Sequence, residues 1–220
     1  MSADISYIEY KISDYKNRGL KIFATSSFQT QSVVLMHILS RIDRSIPVFF
    51  LNTGYLFPET LDYRDQIKKM FGLTVIDLVS PVPKSMQKDD RGNLLFTSDP
   101  DHCCQLNKTE PMESVLSEYD VWISGVRAEQ SDARRMMREE EAAPKNVLRF
   151  HPLIKWRIAD IYEYIREYRL PKHPLEELGY ASIGCEPCTR KPGPDGNERS
   201  GRWFGLKKTE CGLHTELVKK

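Results

Sequence analysis

Cysteine is the residue whose spacing first suggests chemistry. Five occur in 220 residues, as Cys103-Cys104, Cys185-Glu186-Pro187-Cys188 and Cys211. An odd count in tight pairs argues against an extracellular disulfide framework and for soft ligands gathered round a metal, with one thiol left over. Four thiolates suit either zinc or an iron–sulfur cluster. Tandem cysteines set two sulfurs on adjacent backbone positions, which is awkward for one tetrahedral ion. A multi-iron cluster offers each sulfur its own iron. Spacing therefore favours a cluster, with zinc and metal-free buried thiols as the alternatives; Gly184 and Pro187 shape the Cys-x-x-Cys turn in each case.

The fifth thiol, Cys211, sits in Lys207-Lys208-Thr209-Glu210-Cys211-Gly212-Leu213-His214. A thiol among cations ionises more readily and can act as a nucleophile, and His214 is close enough in sequence to support the thiolate. An idle surface thiol is the alternative. Basic residues recur beside these motifs: Lys108 four residues after Cys104, Arg127 in a run after a strand, and Arg190, Arg199 and Arg202 after the Cys-x-x-Cys. Guanidinium groups match phosphate and sulfate oxygens geometrically. The formal net charge is only +1, so any pull on an anion has to be local.

The elements that must position these groups alternate. Helices are expected over 5–15, 33–42, 58–71 and 158–168, and strands over 21–25, 47–51, 73–79, 121–125 and 147–150. A further helix in one or two pieces is expected over 101–119, with Pro111 allowing a break. Strand–helix alternation implies an α/β fold with a doubly wound, mostly parallel sheet. The polar loop 26–32 between the first strand and its helix offers amides for an anion, although it lacks the Gly-Lys-Ser/Thr ending of a Walker A loop. The long loop 81–100 is expected to have a functional reason. Residues 1–170 read as a nucleotide-binding α/β domain, and residues 171–220 as a loop-rich appendage ending in a mobile tail. No apolar run is long enough to cross a bilayer, and Met1-Ser2-Ala3-Asp4 opens no secretory signal, so a cytoplasmic location is expected.

Taken in order, Cys103-Cys104, Cys185-Glu186-Pro187-Cys188-Thr189-Arg190, Glu198-Arg199-Ser200-Gly201-Arg202-Trp203 and Glu210-Cys211-Gly212-Leu213-His214 resemble bacterial adenylyl-sulfate reductases, the iron–sulfur branch of the assimilatory sulfonucleotide reductases. The resemblance runs over residues 20–214. It implies an adenine-nucleotide α-hydrolase-like sheet and one 4Fe-4S cluster on Cys103, Cys104, Cys185 and Cys188. It also implies that Ser26 and Ser27 cradle the phosphosulfate, and that Thr53, Gly54, Gly125 and Arg127 contact the nucleoside and its phosphate. Lys108, Arg199 and Arg202 would face the phosphosulfate, and Cys211 would be the nucleophile with His214 beside it. The implied reaction is thioredoxin-dependent reduction of adenosine 5′-phosphosulfate to sulfite and AMP. A glutaredoxin-like thiol donor, a substrate with a 3′-phosphate and a homo-oligomer stay open.

Two features depart from the pattern: the phosphate loop reads Ser27-Phe28-Gln29-Thr30-Gln31-Ser32, where relatives usually have Gly, Ala or an acidic residue in the middle, and Asn52 stands where Asp is usual. Other classes on such a fold are an adenylating or thiolating ATPase, whose Ser-Gly-Gly-x-Asp-Ser loop this chain lacks, and a non-catalytic cluster-bearing sensor.

Overall fold

The computed structural model describes residues 2–193, 199–206, 208, 210, 212–214 and 217. In chain order they form α1 (Ser2–Asn17), β1 (Ile22–Thr25), α2 (Thr30–Ile42), β2 (Val48–Leu51), α3 (Pro58–Phe71) and β3 (Val75–Leu78). Then come α4 (Leu95–Ser98), α5 (Pro100–Cys104), α6 (Glu110–Leu116), β4 (Val121–Ser124), α7 (Asp132–Arg135), β5 (Glu140–Ala142), β6 (Leu148–Phe150), α8 (Ile158–Glu167) and α9 (Pro174–Glu177).

The strands stand in the order β3-β2-β1-β4-β6-β5, all parallel except β5, which pairs antiparallel with β6 at one edge. The doubly wound, mostly parallel sheet expected from the sequence is present. Strand residues alternate between two cores. Ile22, Ala24, Val48, Phe50, Val121 and Ile123 face one side, packed by α1, α2, α3 and α8. Phe23, Phe49 and Trp122 face the other, against Met112, Val115 and Leu116 of α6. Burial on both faces explains why these strands read as continuous apolar runs.

Three local features differ from the sequence expectation. Helix α2 begins at Thr30, because small polar residues are tolerated in a first turn whose amides lack helical partners in any case. The helix after Cys104 does break, but through a π turn, Gln105–Thr109. Pro111 has no amide proton and would crowd the carbonyl four residues back, and a wider turn accommodates it. The strand β5 was not expected, since Glu140-Glu141-Ala142 carries no strand pattern. Its acids are held from outside, Glu140 by Tyr15 and Lys11, and Glu141 by His151 at 3.2 Å.

Candidate active site

The chain reverses strand order between β1 and β4, the crevice where open α/β sheets bind ligands at their carboxyl ends. Thr25 and Ser124 are register partners at that point, and both line a cavity of about 200 Å³, far more than a water occupies.

The loop after β1 closes one wall. Phe28 adopts a left-handed backbone (φ 49°), its amide donating to Ser26 Oγ at 3.1 Å, while its ring is fully buried edge-on to Phe50. Left-handed geometry costs a non-glycine residue ~1–2 kcal/mol. Burying a phenyl ring returns more than that, since deleting one from a core costs ~3–5 kcal/mol. The departure at position 28 is therefore a packing plug rather than a defect. Gln29, at the start of α2, accepts the Ile183 amide at 2.9 Å and so binds the 171–220 segment to the loop. His173 does the same at α2 and α3: its amide donates to Thr30 Oγ1 at 2.9 Å, and its ring meets Thr60 Oγ1 at 3.0 Å.

Around the cavity stand four cations, Lys108, Arg134, Arg199 and Arg202, and no Asp or Glu is among the described lining residues. Arg202 stacks over Trp203 with its guanidinium 4.6 Å from the ring centre. The Arg202 Nε and Trp203 Nε1 are buried with no hydrogen-bond partner among the described residues. A buried donor without an acceptor costs ~1–3 kcal/mol, which an anion entering the cavity would recover. Gly184 admits this arginine: a Cβ added there would lie 2.1 Å from Arg202 Nη2.

A second, smaller cavity adjoins the first and is lined by Cys103, Cys104, Cys185 and Cys188, two pairs more than eighty positions apart in sequence. All four are free of disulfides. The Cys-x-x-Cys turn is held beside the end of β2 by the Glu186 amide, which donates to the Tyr55 carbonyl at 2.7 Å, and by a Leu56–Cys185 bridge. On the other side, the 81–100 loop contributes Gln87. Its side chain exchanges hydrogen bonds with Asn107 (2.7 and 3.0 Å), and Asn107 in turn donates to the Cys103 carbonyl at 2.8 Å.

Three residues, Thr53, Lys108 and Cys185, border both cavities. Thr53 Oγ1 lies 3.2 Å from Cys185 Sγ, and Lys108 Nζ 3.7 Å from Cys104 Sγ. Burial, reinforced by the neighbouring Cys104, Cys185 and Cys188, pushes the Cys103 thiol up to about 12.

Of the residues expected at the site, Ser26, Ser27, Thr53, Gly125, Lys108, Arg199 and Arg202 line the larger cavity. Gly54 and Arg127 are not among its lining residues. Gly54 packs against Lys84, and Arg127 is buried behind the cavity wall, bound to Glu129 and to Gln31 of the lining. Cys211 and the side chain of His214 lie outside the described residues. Sequence reading passed over Arg134 within its arginine-rich run. The available signal was Ser131 three positions earlier, whose hydroxyl caps α7 by accepting the Arg134 amide at 3.3 Å.

Fold and site together define an α/β crevice protein with a cavity lined by four cations, adjoining a smaller one lined by four cysteines. The family model for the phosphoadenosine phosphosulfate reductase domain matches residues 21–191, and the chain belongs to that family. It is 41% identical over 207 residues to the adenosine 5′-phosphosulfate reductase of a Chelativorans species, covering 94% of this chain and 84% of the relative. It is 37% identical to the phosphoadenosine 5′-phosphosulfate reductase of Gloeobacter violaceus, covering 89% of this chain and 83% of that one. Among solved structures, the phosphoadenylyl-sulfate reductase of Candida auris in its phosphate complex shares the fold, with a TM-score of 0.63 and 23% identity over 76% of this chain and 81% of that one.

Proposed function

We propose that this protein is a cytoplasmic, thioredoxin-dependent adenylyl-sulfate reductase of sulfate assimilation, working as a nucleotide-binding part, 1–170, completed by 171–220. The observation that carries the reading is the cavity lined by four cations and by no carboxylate among the described residues, open at the sheet crevice and sharing Thr53, Lys108 and Cys185 with the four-cysteine cavity.

The substrate is a polyanion and the attacking thiolate is an anion, so charge neutralisation is the main task. Lys108, Arg199 and Arg202 meet the phosphosulfate, and loop amides with Ser26 and Ser27 cradle it. Thr53 and Gly125 shape the nucleoside end, with Gly54 and Arg127 supporting it from outside the lining, Arg127 through Gln31. Cys211 attacks the sulfate sulfur, the sulfur–oxygen bond to the phosphate breaks, and AMP leaves with the bond's electron pair. The S-sulfonate on Cys211 is then attacked at its thiol sulfur by a thioredoxin thiolate, which expels sulfite. The second thioredoxin thiol resolves the mixed disulfide, so the dithiol supplies both electrons. His214 supports the Cys211 thiolate.

Cys103, Cys104, Cys185 and Cys188 fit a 4Fe-4S cluster. Thr53, Asn107 and Lys108 place side chains 3.2–3.7 Å from three of the sulfurs, as donors to ligating thiolates do. Tyr55 Oη is buried with no partner among the described residues and borders the same cavity. When bound, the cluster would brace the Cys-x-x-Cys turn against Cys103-Cys104, and its four thiolates would give it a net negative charge that the Lys108 ammonium offsets.

The test is intact-protein mass after mixing with adenosine 5′-phosphosulfate in the absence of thiols. A sulfite-sized adduct on Cys211, absent from Cys211→Ser, is expected; an adduct on the variant would refute the nucleophile. Running thioredoxin-coupled sulfite release with each nucleotide decides the 3′-phosphate. A rate with the 3′-phosphorylated form alone would reverse the substrate assignment.

A further inference from the structure

Glu210 immediately precedes Cys211 in the chain and is buried at 5% exposure. Its carboxylate accepts from Ser131 Oγ at 2.6 Å, from Arg134 Nε and Nη2 at 3.0 Å each, and from Arg199 Nη2 at 3.1 Å. Taking a carboxylate out of water costs several kcal/mol unless partners compensate. Burial alone would raise its pKa, but Arg134 and Arg199 outweigh that and hold it below the ordinary carboxylate value.

The chain is held again beyond Cys211. Arg149, fully buried with its guanidinium 4.1 Å above the Trp122 ring, donates from Nη1 to the Leu213 carbonyl at 3.0 Å. Leu217 is buried in the apolar cluster of Phe23, Met112 and Trp122. Tethers thus flank Cys211 in sequence, and the one just before it is charged and two-sided.

Arg134 and Arg199 also line the larger cavity. A forked carboxylate is the group that matches the Nε/Nη2 edge of Arg134, and an amide of the same shape would lose both the charge and half of the acceptors. Anchoring the chain to the cavity's own arginines sets its position relative to whatever anion those arginines face.

We propose that Glu210 is a positioning residue: its carboxylate, held by Ser131, Arg134 and Arg199, anchors the C-terminal segment so that the adjoining thiol is presented to the sulfonucleotide. The proposal rests on the reading of Cys211 as nucleophile. It separates two jobs: the lining groups bind the nucleotide, and Glu210, behind Arg134 and Arg199, governs how often the thiol is in reach.

The experiment compares cluster-loaded full-length protein with its Glu210→Gln and Glu210→Ala variants. Three quantities are read: the single-turnover rate of S-sulfonate formation by mass, AMP affinity by calorimetry, and trypsin cleavage at Lys207 and Lys208 without nucleotide. The sulfonation rate is expected to fall about 10-fold in Glu210→Gln and about 100-fold in Glu210→Ala, the scale of a misplaced reacting group. AMP should bind both variants no more weakly than wild type, and tail cleavage should speed up in the same order. A wild-type sulfonation rate in Glu210→Ala overturns the proposal. So does a parallel loss of AMP affinity, which would mark Glu210 as a general support of the fold. No adduct even in the wild type would instead refute the Cys211 reading, and the proposal with it.

Discussion

Lys108 Nζ lies 3.7 Å from Cys104 Sγ, and the same side chain borders the cationic cavity. One ammonium thus faces a cysteine of the cage on one side and an anion site on the other. Replacing it with alanine should remove charge stabilisation at the reacting group while leaving all four cysteines in place. We expect Lys108→Ala to lower kcat/KM by ~10²–10³-fold, the usual cost of a lost electrostatic donor. The visible absorption of the purified protein should be retained; loss of that absorption would reassign Lys108 to holding the cage together.

Gly184 makes a sharper prediction, because the neighbour it spares is the end of a flexible side chain. An added Cβ would meet Arg202 Nη2 at 2.1 Å and Cζ at 2.5 Å, so the guanidinium has to swing away while the backbone stays. Gly184→Ala should therefore lower kcat/KM by ~10–100-fold, the worth of a charge-assisted hydrogen bond or two, with little change in melting temperature. Gly201 is the contrast. There the clash is with the Arg190 backbone carbonyl at 2.0 Å, so Gly201→Ala should lose stability as well as activity. Equal Tm losses in the two variants would contradict this distinction.

The buried hydroxyl of Tyr55 has no hydrogen-bond partner among the described residues, although it borders the cysteine cavity. If it serves a cluster sulfur, Tyr55→Phe should lower the reduction potential of the loaded protein, read by redox titration of its visible absorption. In iron-free protein the same change should stabilise by ~1 kcal/mol, since it removes an unpaired buried group. An unchanged potential would exclude Tyr55 from the cluster's surroundings.

His173 predicts an acid-side loss of stability. It is fully buried, and its Nδ1 accepts the Leu175 amide at 3.2 Å, which requires the neutral ring. Burial lowers its pKa from 6.5 to about 4 against the weaker pull of Glu59 and Glu176. Between those values the unfolded chain binds the proton and the folded one does not, so stability falls as pH drops through this window and levels off below it. The full effect is on the order of 3 kcal/mol. Urea unfolding at pH 7 and pH 4.5 should show it, and His173→Asn, which keeps a capping acceptor, should flatten the dependence. An equally steep dependence in His173→Asn would place the titration elsewhere.

Much of this site was legible because its chemistry is written in rare residues at short range. Two cysteine pairs, and arginines following a Cys-x-x-Cys, stand out by type and spacing whatever the fold, and the structure brings them to two adjoining cavities. Apolar runs broken by Gly and Pro marked β1, β2 and β4, since strands buried on both faces need continuous hydrophobicity. β5 was invisible, because this polar edge strand has its acids held by His151, just past the neighbouring strand, and by Lys11 and Tyr15, more than 120 positions away.

What the sequence determined by itself is therefore the inventory: two cysteine pairs, a fifth thiol, the alternating elements and the basic residues beside them. Which of those charges meet was decided only by the tertiary structure. Arg127 looked like a cavity residue and is buried against Gln31 and Glu129, whereas Arg134, seven positions on, reaches both the cavity and Glu210. Side-chain type sets what a group can bond. Partner choice depends on burial and on contacts between positions as distant as 134 and 210, where desolvation makes each unpaired charge costly enough to enforce one arrangement.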